Sequence, residues 1–193
     1  MRYKLIILFC AISCSAICMA QKVAIKTNVL YDATTTMNLG AEFGLKPQWT
    51  LEISGNYNPW TFSDNKKRKI WYLQPELRYW LCEKFNGHFF GVHLHGGEYN
   101  VGGYNTSISF LGSDFSGLKD YRYEGWFVGA GISYGYSWML GYHWNLEAEI
   151  GLGYAFTKYD KYQCPKCGGK IESDKDHHYV GPTKAALNIV YLF

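Results

Sequence analysis

Two cysteines and two histidines near the end of the chain are the residues best suited by type and spacing to bind a metal ion. Cys164 and Cys167 lie in CPKC, and His177 and His178 end the following segment, KIESDKDHH. Two thiolates and two imidazoles suit tetrahedral zinc. However, adjacent histidines do not readily coordinate one ion together, and a single C-x-x-C motif is a weak signal. A local disulfide or free thiols are therefore favoured over zinc, and no cofactor is expected.

Two further pairs have spacings that suit acid–base or nucleophilic chemistry. Glu147 and Glu149 could imitate a glycosidase pair, but they lie on one face of one strand and do not flank a cleft. His93 and His95, in HLHGGEYN, would need a nearby nucleophile to form the site of a lipid A modifying hydrolase. No Ser or Cys lies within two residues of either. We therefore expect no enzymatic activity, with the lipid A hydrolase as the alternative.

The first twenty residues, MRYKLIILFCAISCSAICMA, have the pattern of a secretory signal peptide. Arg2 and Lys4 precede an apolar run, and small residues stand at the cleavage position after Ala20. A buried N-terminal strand and a lipoprotein signal ending at Cys14 are the alternatives. Removal of this segment lowers the net charge from +3 to +1, because it carries two basic and no acidic residues. With no basic stripe remaining, nucleic acid is not an expected partner.

The rest of the chain alternates apolar and polar residues with a period of two, which predicts β-strands. It has no apolar run of about 18 residues, which excludes a helical membrane anchor. Eight strands are predicted, at residues 23–31, 36–45, 49–57, 70–81, 88–97, 125–140, 145–158 and 184–193. Connections after the second, fourth and sixth strands are short, and those after the third, fifth and seventh are long, as in outer-membrane barrels.

Which face of these strands looks inward decides between a membrane barrel and a soluble barrel or sandwich. Tryptophans near strand ends match the two aromatic girdles of a membrane barrel. Those assigned to the girdles are Trp49, Trp71, Trp126, Trp138 and Trp144; Trp60 and Trp80 lie on the polar phase and are interpreted as loop or rim residues. The last strand ends in Tyr191 and Phe193, which resembles the signal by which outer-membrane barrels are recognised for insertion.

If the apolar face meets lipid, the polar phase fills the lumen. The residues predicted there are Lys26, Glu42, Glu52, Glu76, Arg78, His93, His95, Glu147, Glu149 and Lys184. An eight-stranded barrel has room for little besides side chains, so a charged, hydrogen-bonded plug is expected. The basic run from Lys66 to Lys69 falls in a long loop, where it is either simply solvated or contacts phosphates of lipopolysaccharide.

Several long stretches resemble a family of the Bacteroidetes catalogued as domain of unknown function 3575. They are KTNVLYDATTTMNLGAEFGL, ISGNYNPWTFSDNKKRK, QPELRYWLCEKFNGHFFGVHLHGG, SDFSGLKDYRYEGWFVGAGISYGYSWML and GPTKAALNIVYLF. The resemblance implies an outer-membrane β-barrel, sometimes in a genetic context with surface fimbriae. It supplies no catalytic residues to transfer to this chain.

The sequence therefore predicts an all-β, eight-stranded antiparallel up-and-down transmembrane β-barrel with short periplasmic turns and longer outer loops. Residues 1–20 are expected to be a cleaved signal peptide and 21–193 a single barrel domain in the outer membrane. We expect a plugged structural or surface-interaction protein, in contact with outer-membrane lipid and lipopolysaccharide, whose loops at 97–124 and 159–179 would meet a surface protein partner. A narrow pore is the third hypothesis.

Overall fold

The chain folds into a closed antiparallel β-barrel of eight strands. This architecture is taken from a computed structural model that describes residues 23–60, 67–103, 109–110, 113–114, 121–163 and 168–193. Around the ring each strand pairs with its neighbours in sequence, apart from a separate small hairpin, and the last strand closes the ring on the first. This confirms the predicted up-and-down barrel.

The barrel strands are β1 (Val23–Asn28), β2 (Met37–Lys46), β3 (Trp49–Asn58), β4 (Lys67–Trp80), β5 (Gly87–Gly102), β8 (Arg122–Met139), β9 (Trp144–Tyr162) and β10 (Lys170–Leu192). The small hairpin consists of β6 (Ser109–Phe110) and β7 (Ser113–Asp114). Short turns at 47–48, 81–86 and 140–143 lie at one end of the barrel, called here the turn end. The other end, which carries the longer connections, is the loop end.

Alternate residues of each strand face opposite sides of the barrel wall, and the polar ones face inward. In β3, for example, Thr50, Glu52 and Ser54 are buried, whereas Ile53 is 44% exposed. The exposed large hydrophobic side chains include Leu39, Val92 and Ile132, all on the outer face. The molecule therefore has a polar interior and an apolar exterior, the reverse of a soluble barrel.

The first strand is shorter than the alternation predicted. It ends at Asn28, and residues Val29–Ala33 form a short helix, α1. The Asn28 side chain caps this helix by accepting a hydrogen bond from the Leu30 N–H at 3.1 Å. Asparagine favours such a cap because its side chain offers the backbone a local partner in place of the β-ladder. The Asn28 amide also donates to the Ala185 carbonyl on β10 at 3.1 Å, which continues the bonding where β1 stops.

The last two strands are longer than predicted. β9 extends to Tyr162, and β10 begins at Lys170 and runs for 23 residues, so most of the predicted loop at 159–179 is a paired hairpin. The part of β10 that lies in the predicted loop, Lys170–Tyr179, is mostly polar on both faces. It therefore shows no alternation of apolar and polar residues. Backbone pairing with β9 holds it as a strand. β5 and β8 likewise extend to Gly102 and Arg122, into the predicted loop at 97–124.

No helix among the described residues has the length and apolar character needed to cross a membrane. The predicted signal peptide at 1–20, and also Cys164, Cys167 and Lys66, lie outside the described residues.

Candidate functional site

All ten polar side chains assigned to the lumen from the sequence lie inside the barrel. Each is at most 6% exposed: Lys26, Glu42, Glu52, Glu76, Arg78, His93, His95, Glu147, Glu149 and Lys184. They come from β1, β2, β3, β4, β5, β9 and β10, and Ser133 of β8 adds a hydrogen bond to Glu76 at 3.1 Å. Side chains from every barrel strand thus meet in one polar layer, which we call the charged layer.

Arg78 occupies the centre of the charged layer and contacts all five glutamates. Its Nε donates to Glu76 Oε1 at 2.8 Å, and its Nη2 donates to Glu149 Oε2 at 2.6 Å. Its Nη1 lies 2.9 Å from Glu42 and 3.1 Å from Glu147, and its Nη2 also pairs with Glu52. A guanidinium suits this position because its fork of donors stays charged and can serve several carboxylates at once.

Two lysines complete the cationic part of the charged layer. Lys26 pairs with Glu42 and lies 3.3 Å from Glu52 and 3.2 Å from Glu147. Lys184 lies 2.7 Å from Glu76, 3.2 Å from Glu149 and 3.4 Å from Glu52.

Glu52, Glu76 and Glu149 present carboxylate oxygens within 4.8 Å of one another, a spacing that could hold a metal ion. The Lys184 ammonium already bonds all three, and Arg78 bonds them from the other side. The chain's own cations therefore serve this acidic group.

Acids outnumber permanent cations in the charged layer by five to three. Neutral donors help to compensate: Asn188 donates to Glu147 at 2.8 Å, and Ser133 donates to Glu76. Two carboxylate oxygens, Glu42 Oε1 and Glu149 Oε1, are buried without a hydrogen-bond partner among the described residues. The layer is thus closely paired, with more carboxyl groups than permanent cations.

His93 and His95 both point into the lumen. His93 Nε2 lies 2.8 Å from Thr183 Oγ1, and His93 Nδ1 lies 3.7 Å from Glu76 Oε2. Although hydroxyl, imidazole and carboxylate follow one another as in a nucleophilic site, the imidazole is fully buried. A Cβ on Gly151 would lie only 2.9 Å from His93 Cε1, so the barrel wall lies close to this edge of the ring. In the part of the chain that the structure describes, His93 and His95 are thus both buried in the lumen and neither faces the outside, where a lipid ester would lie.

The Thr183 contact instead stabilises an irregularity of β10. The register shifts between Pro182 and Lys184, which marks a β-bulge at Thr183. Gln74 also donates to the Thr183 carbonyl, at 3.4 Å. A bulge residue was not predictable from alternation, because the extra residue interrupts the period.

An apolar cluster closes the lumen at the turn end. Trp80 and Phe89 are fully buried there, with ring centroids 4.7 Å apart, and Phe85 packs on Trp80 at 6.0 Å. The interpretation of Trp80 as a rim residue was therefore wrong. Its place on the polar phase of β4 puts it inside the barrel, where its indole N–H donates to Thr50 Oγ1 at 2.9 Å.

Phe85 reaches the lumen because the 81–86 turn folds back into the barrel. Phe85 has a φ of 66°, in the left-handed region, and Ser137 and Asn145 donate to its carbonyl at 3.2 and 2.6 Å. We call Trp80, Phe85 and Phe89 the turn-end plug. The Arg78 guanidinium lies 4.4 Å above the Phe89 ring and joins this plug to the charged layer.

Glycines on the inner face of β8 make room for these side chains. A Cβ on Gly135 would overlap the Phe89 ring, and a Cβ on Gly131 would lie 2.6 Å from His93 Nε2. The sequence places these glycines at alternate positions. Their role, to leave room for the rings of Phe89 and His93, depends on side chains of another strand.

The loop-end side of the charged layer contains aromatic and amide side chains. Tyr31 of α1 lies edge-to-face with Tyr72, with 6.5 Å between the ring centroids, and Tyr72 contacts Phe127 at 5.9 Å. A polar cavity of about 10 Å³, the size of a single water molecule, lies nearby and is lined by Asn28, Gln74 and Lys184, among others.

The five girdle tryptophans, Trp49, Trp71, Trp126, Trp138 and Trp144, all lie on the outer face and are substantially exposed. At the turn end, Trp49 packs against Tyr79 at 5.1 Å and Trp144 against Tyr191 at 5.0 Å. Phe193 contacts Tyr191 at 5.0 Å, and its N–H donates to the Val23 carbonyl at 3.0 Å. The chain terminus thus belongs to the seam that closes the barrel.

Of the four candidate metal ligands, only His177 and His178 lie among the described residues. His177 and His178 are adjacent in β10, so their side chains lie on opposite faces of the wall. His178 Nδ1 lies 2.5 Å from the Tyr154 hydroxyl on the outer face.

Three residues of the basic run belong to a strand and not to the predicted loop. Lys67, Arg68 and Lys69 begin β4, and the Arg68 guanidinium reaches the Thr34 carbonyl at 3.5 Å.

A family model described as "Protein of unknown function (DUF3575)" matches residues 5–193. The chain belongs to this family. No curated protein and no solved structure matches it significantly.

Proposed function

We propose that the protein is a plugged outer-membrane barrel that acts as a structural or surface-interaction protein. One observation carries this proposal: ten ionisable side chains are buried in the lumen while apolar side chains cover the outside. Leu39 and Ile132 are 66% and 67% exposed, yet Arg78 is fully buried. Such a surface is unfavourable in water and favourable in acyl chains, because apolar side chains then meet lipid and all backbone groups stay paired.

The outer aromatic side chains support the same placement. On β4, Trp71 and Tyr79 both face outward, eight residues apart; on β8, Trp126 and Trp138 are twelve apart. At a rise of about 3.3 Å per residue and a tilt of about 40°, these spacings span roughly 20 to 30 Å along the membrane normal. That range brackets the apolar band of roughly 25 Å between the girdles of outer-membrane barrels. We accordingly assign the turn end to the periplasm and the loop end to the cell surface.

A structural or interaction role follows from the closed lumen and from the shape of the loop end. The turn-end plug and the charged layer leave no continuous passage among the described residues, which argues against a pore. On the loop-end side, β9 and β10 continue as a paired hairpin far beyond the end of β1. This hairpin is the element we expect to contact a surface partner or to stiffen the envelope.

Cell fractionation with heat-dependent gel mobility tests the membrane placement. The full chain, expressed in a Gram-negative host, should be recovered with outer membranes and should migrate differently before and after boiling. Recovery in the soluble periplasmic fraction, with identical mobility under both conditions, would refute the proposal.

A further inference from the structure

A polar and aromatic groove lies on the outer face near the loop end. The strand register places Trp71 opposite Glu98, Glu98 opposite Trp126, and Trp126 opposite Lys158. The next outward row, towards the loop end, consists of Lys69, Asn100, Glu124 and Asp160. Together with Tyr57 and Tyr162, most of these residues line a groove of about 580 Å³, which we call the outer-face groove.

The acidic groups of the outer-face groove already have donors within the chain. The Trp71 indole N–H donates to Glu98 Oε2 at 3.0 Å. Lys170 donates to Asp160 Oδ2 at 2.6 Å, and the Asp174 N–H donates to Asp160 Oδ1 at 3.0 Å. Beyond the apolar band, the Lys170 hydrogen bond lowers the pKa of Asp160, which keeps this carboxylate ionised.

The same is true of the groove's remaining acid. Arg122 Nη2 lies 3.8 Å from Glu124 Oε2, and its guanidinium stacks 4.1 Å from the Tyr162 ring centroid. A cationic ligand would therefore gain little from these carboxylates, since each already has a donor. The groove instead offers oriented carboxylate and amide oxygens. Beside them lie the indole rings of Trp71 and Trp126, which are 45% and 43% exposed.

This combination fits one ligand chemistry better than others. A pyranose ring has an apolar C–H face that packs on an aromatic ring, and hydroxyls that donate to fixed acceptors. An acyl chain would displace water from these carboxylates and offer their remaining lone pairs no donor, which is costly. We propose that the outer-face groove binds a saccharide, whose C–H face packs on Trp126 and Trp71 and whose hydroxyls donate to Glu98 and Glu124.

The saccharide could belong to a free glycan or to the headgroup of an outer-leaflet glycolipid. Only the glycolipid source depends on the proposed membrane location. A soluble oligosaccharide should bind the barrel in detergent micelles wherever the protein resides in the cell, so failure of this inference and failure of the proposed function are distinguishable.

Saturation-transfer NMR and calorimetry on the refolded full chain in detergent test the inference. The probes are maltoheptaose, cellopentaose and tri-N-acetylchitotriose. At least one should bind, and Trp126→Ala should weaken its affinity by about tenfold or more, the equivalent of about 1.4 kcal/mol. Glu98→Gln, which keeps the shape of the groove, should weaken it by a smaller factor, and Trp144→Ala at the turn end should leave it unchanged.

Vesicles with and without lipopolysaccharide distinguish the two sources. Competition between lipopolysaccharide vesicles and the soluble probe would assign the groove to a glycolipid headgroup, whereas binding without competition would assign it to a free glycan. Absence of saturation transfer from all three probes, or equal binding by the correctly folded Trp126→Ala variant, would overturn the inference.

Discussion

The guanidinium of Arg78 on β4 donates to the carboxylate of Glu149 on β9 at 2.6 Å, across the barrel lumen. This bond joins strands that are not neighbours in the wall. Because Arg78 also reaches the other four lumen glutamates, one side chain connects opposite sides of the barrel.

Replacement of Arg78 should destabilise the barrel strongly. Arg78→Met keeps the length of the side chain but leaves five buried carboxylates with only two permanent cations. Breaking a buried ion pair in this way costs about 3–5 kcal/mol. Urea titration of the refolded protein, followed by tryptophan fluorescence, measures the loss. Arg122→Met, on the outside of β8, is the matched control and should change stability by less than about 1 kcal/mol; equal effects of the two variants would contradict a central role for Arg78.

Glu149 and Glu147 should respond differently to the same substitution. They share one strand and one face, but Glu149 Oε1 has no hydrogen-bond partner among the described residues, whereas both oxygens of Glu147 accept hydrogen bonds from Lys26 and Arg78. Glu149→Gln leaves an amide oxygen to accept from Arg78 and Lys184 and removes one of the surplus carboxyl groups, so it should be nearly neutral. Glu147→Gln replaces a paired acceptor and should cost about 1–3 kcal/mol more. The same urea titration measures both variants. A larger loss of stability in Glu149→Gln than in Glu147→Gln would contradict this difference between the two glutamates.

The alternation of apolar and polar residues was enough to predict the barrel and to select the side chains of the charged layer. The pattern is clear because the two faces of each strand have different surroundings, the outer face apolar and the inner face polar. Alternation could not predict the first part of β10, Lys170–Tyr179, because both of its faces carry mostly polar residues. Nor could it predict α1, which begins where the Asn28 side chain caps the backbone. Trp80 was misjudged for a different reason. Its size suggested the rim, yet its phase pointed inward, and only the folded-back turn that carries Phe85 shows why a large ring fits there.

The inner-face glycines of β8 should not tolerate a methyl group. In Gly135→Ala the new Cβ would overlap the Phe89 ring and lie 2.8 Å from the Ala148 carbonyl oxygen. Overpacking of this kind costs about 1–3 kcal/mol, which unfolding in urea would reveal. Gly55→Ala is the control, because its Cβ would meet Leu73 and the Leu39 carbonyl at ordinary distances of 3.6 and 4.0 Å. If both variants unfolded at the same urea concentration as the wild-type protein, the inner glycines would not be needed to make room for the lumen side chains.

The closed lumen should pass no steady ion current. The turn-end plug blocks one end and the charged layer fills the middle, so planar bilayers containing the refolded protein should stay at baseline conductance. Trp80→Ala should lower the free energy of unfolding by about 3–5 kcal/mol through the cavity it leaves, but it should not open a channel while Arg78 is in place. A stable conductance step in the wild-type protein would instead support the narrow-pore hypothesis.

The proposed membrane placement requires that the apolar outer face contact acyl chains. Spin labels on single cysteines test this contact most directly, in a background without the other cysteines of the chain. Labels at Leu39, Val92 and Ile132 in reconstituted vesicles should be accessible to oxygen and protected from a water-soluble nickel chelate, whereas a label at the almost fully exposed Tyr142 should show the opposite. If the nickel chelate reached a label at Ile132 as readily as one at Tyr142, the contact of the outer face with acyl chains would be contradicted.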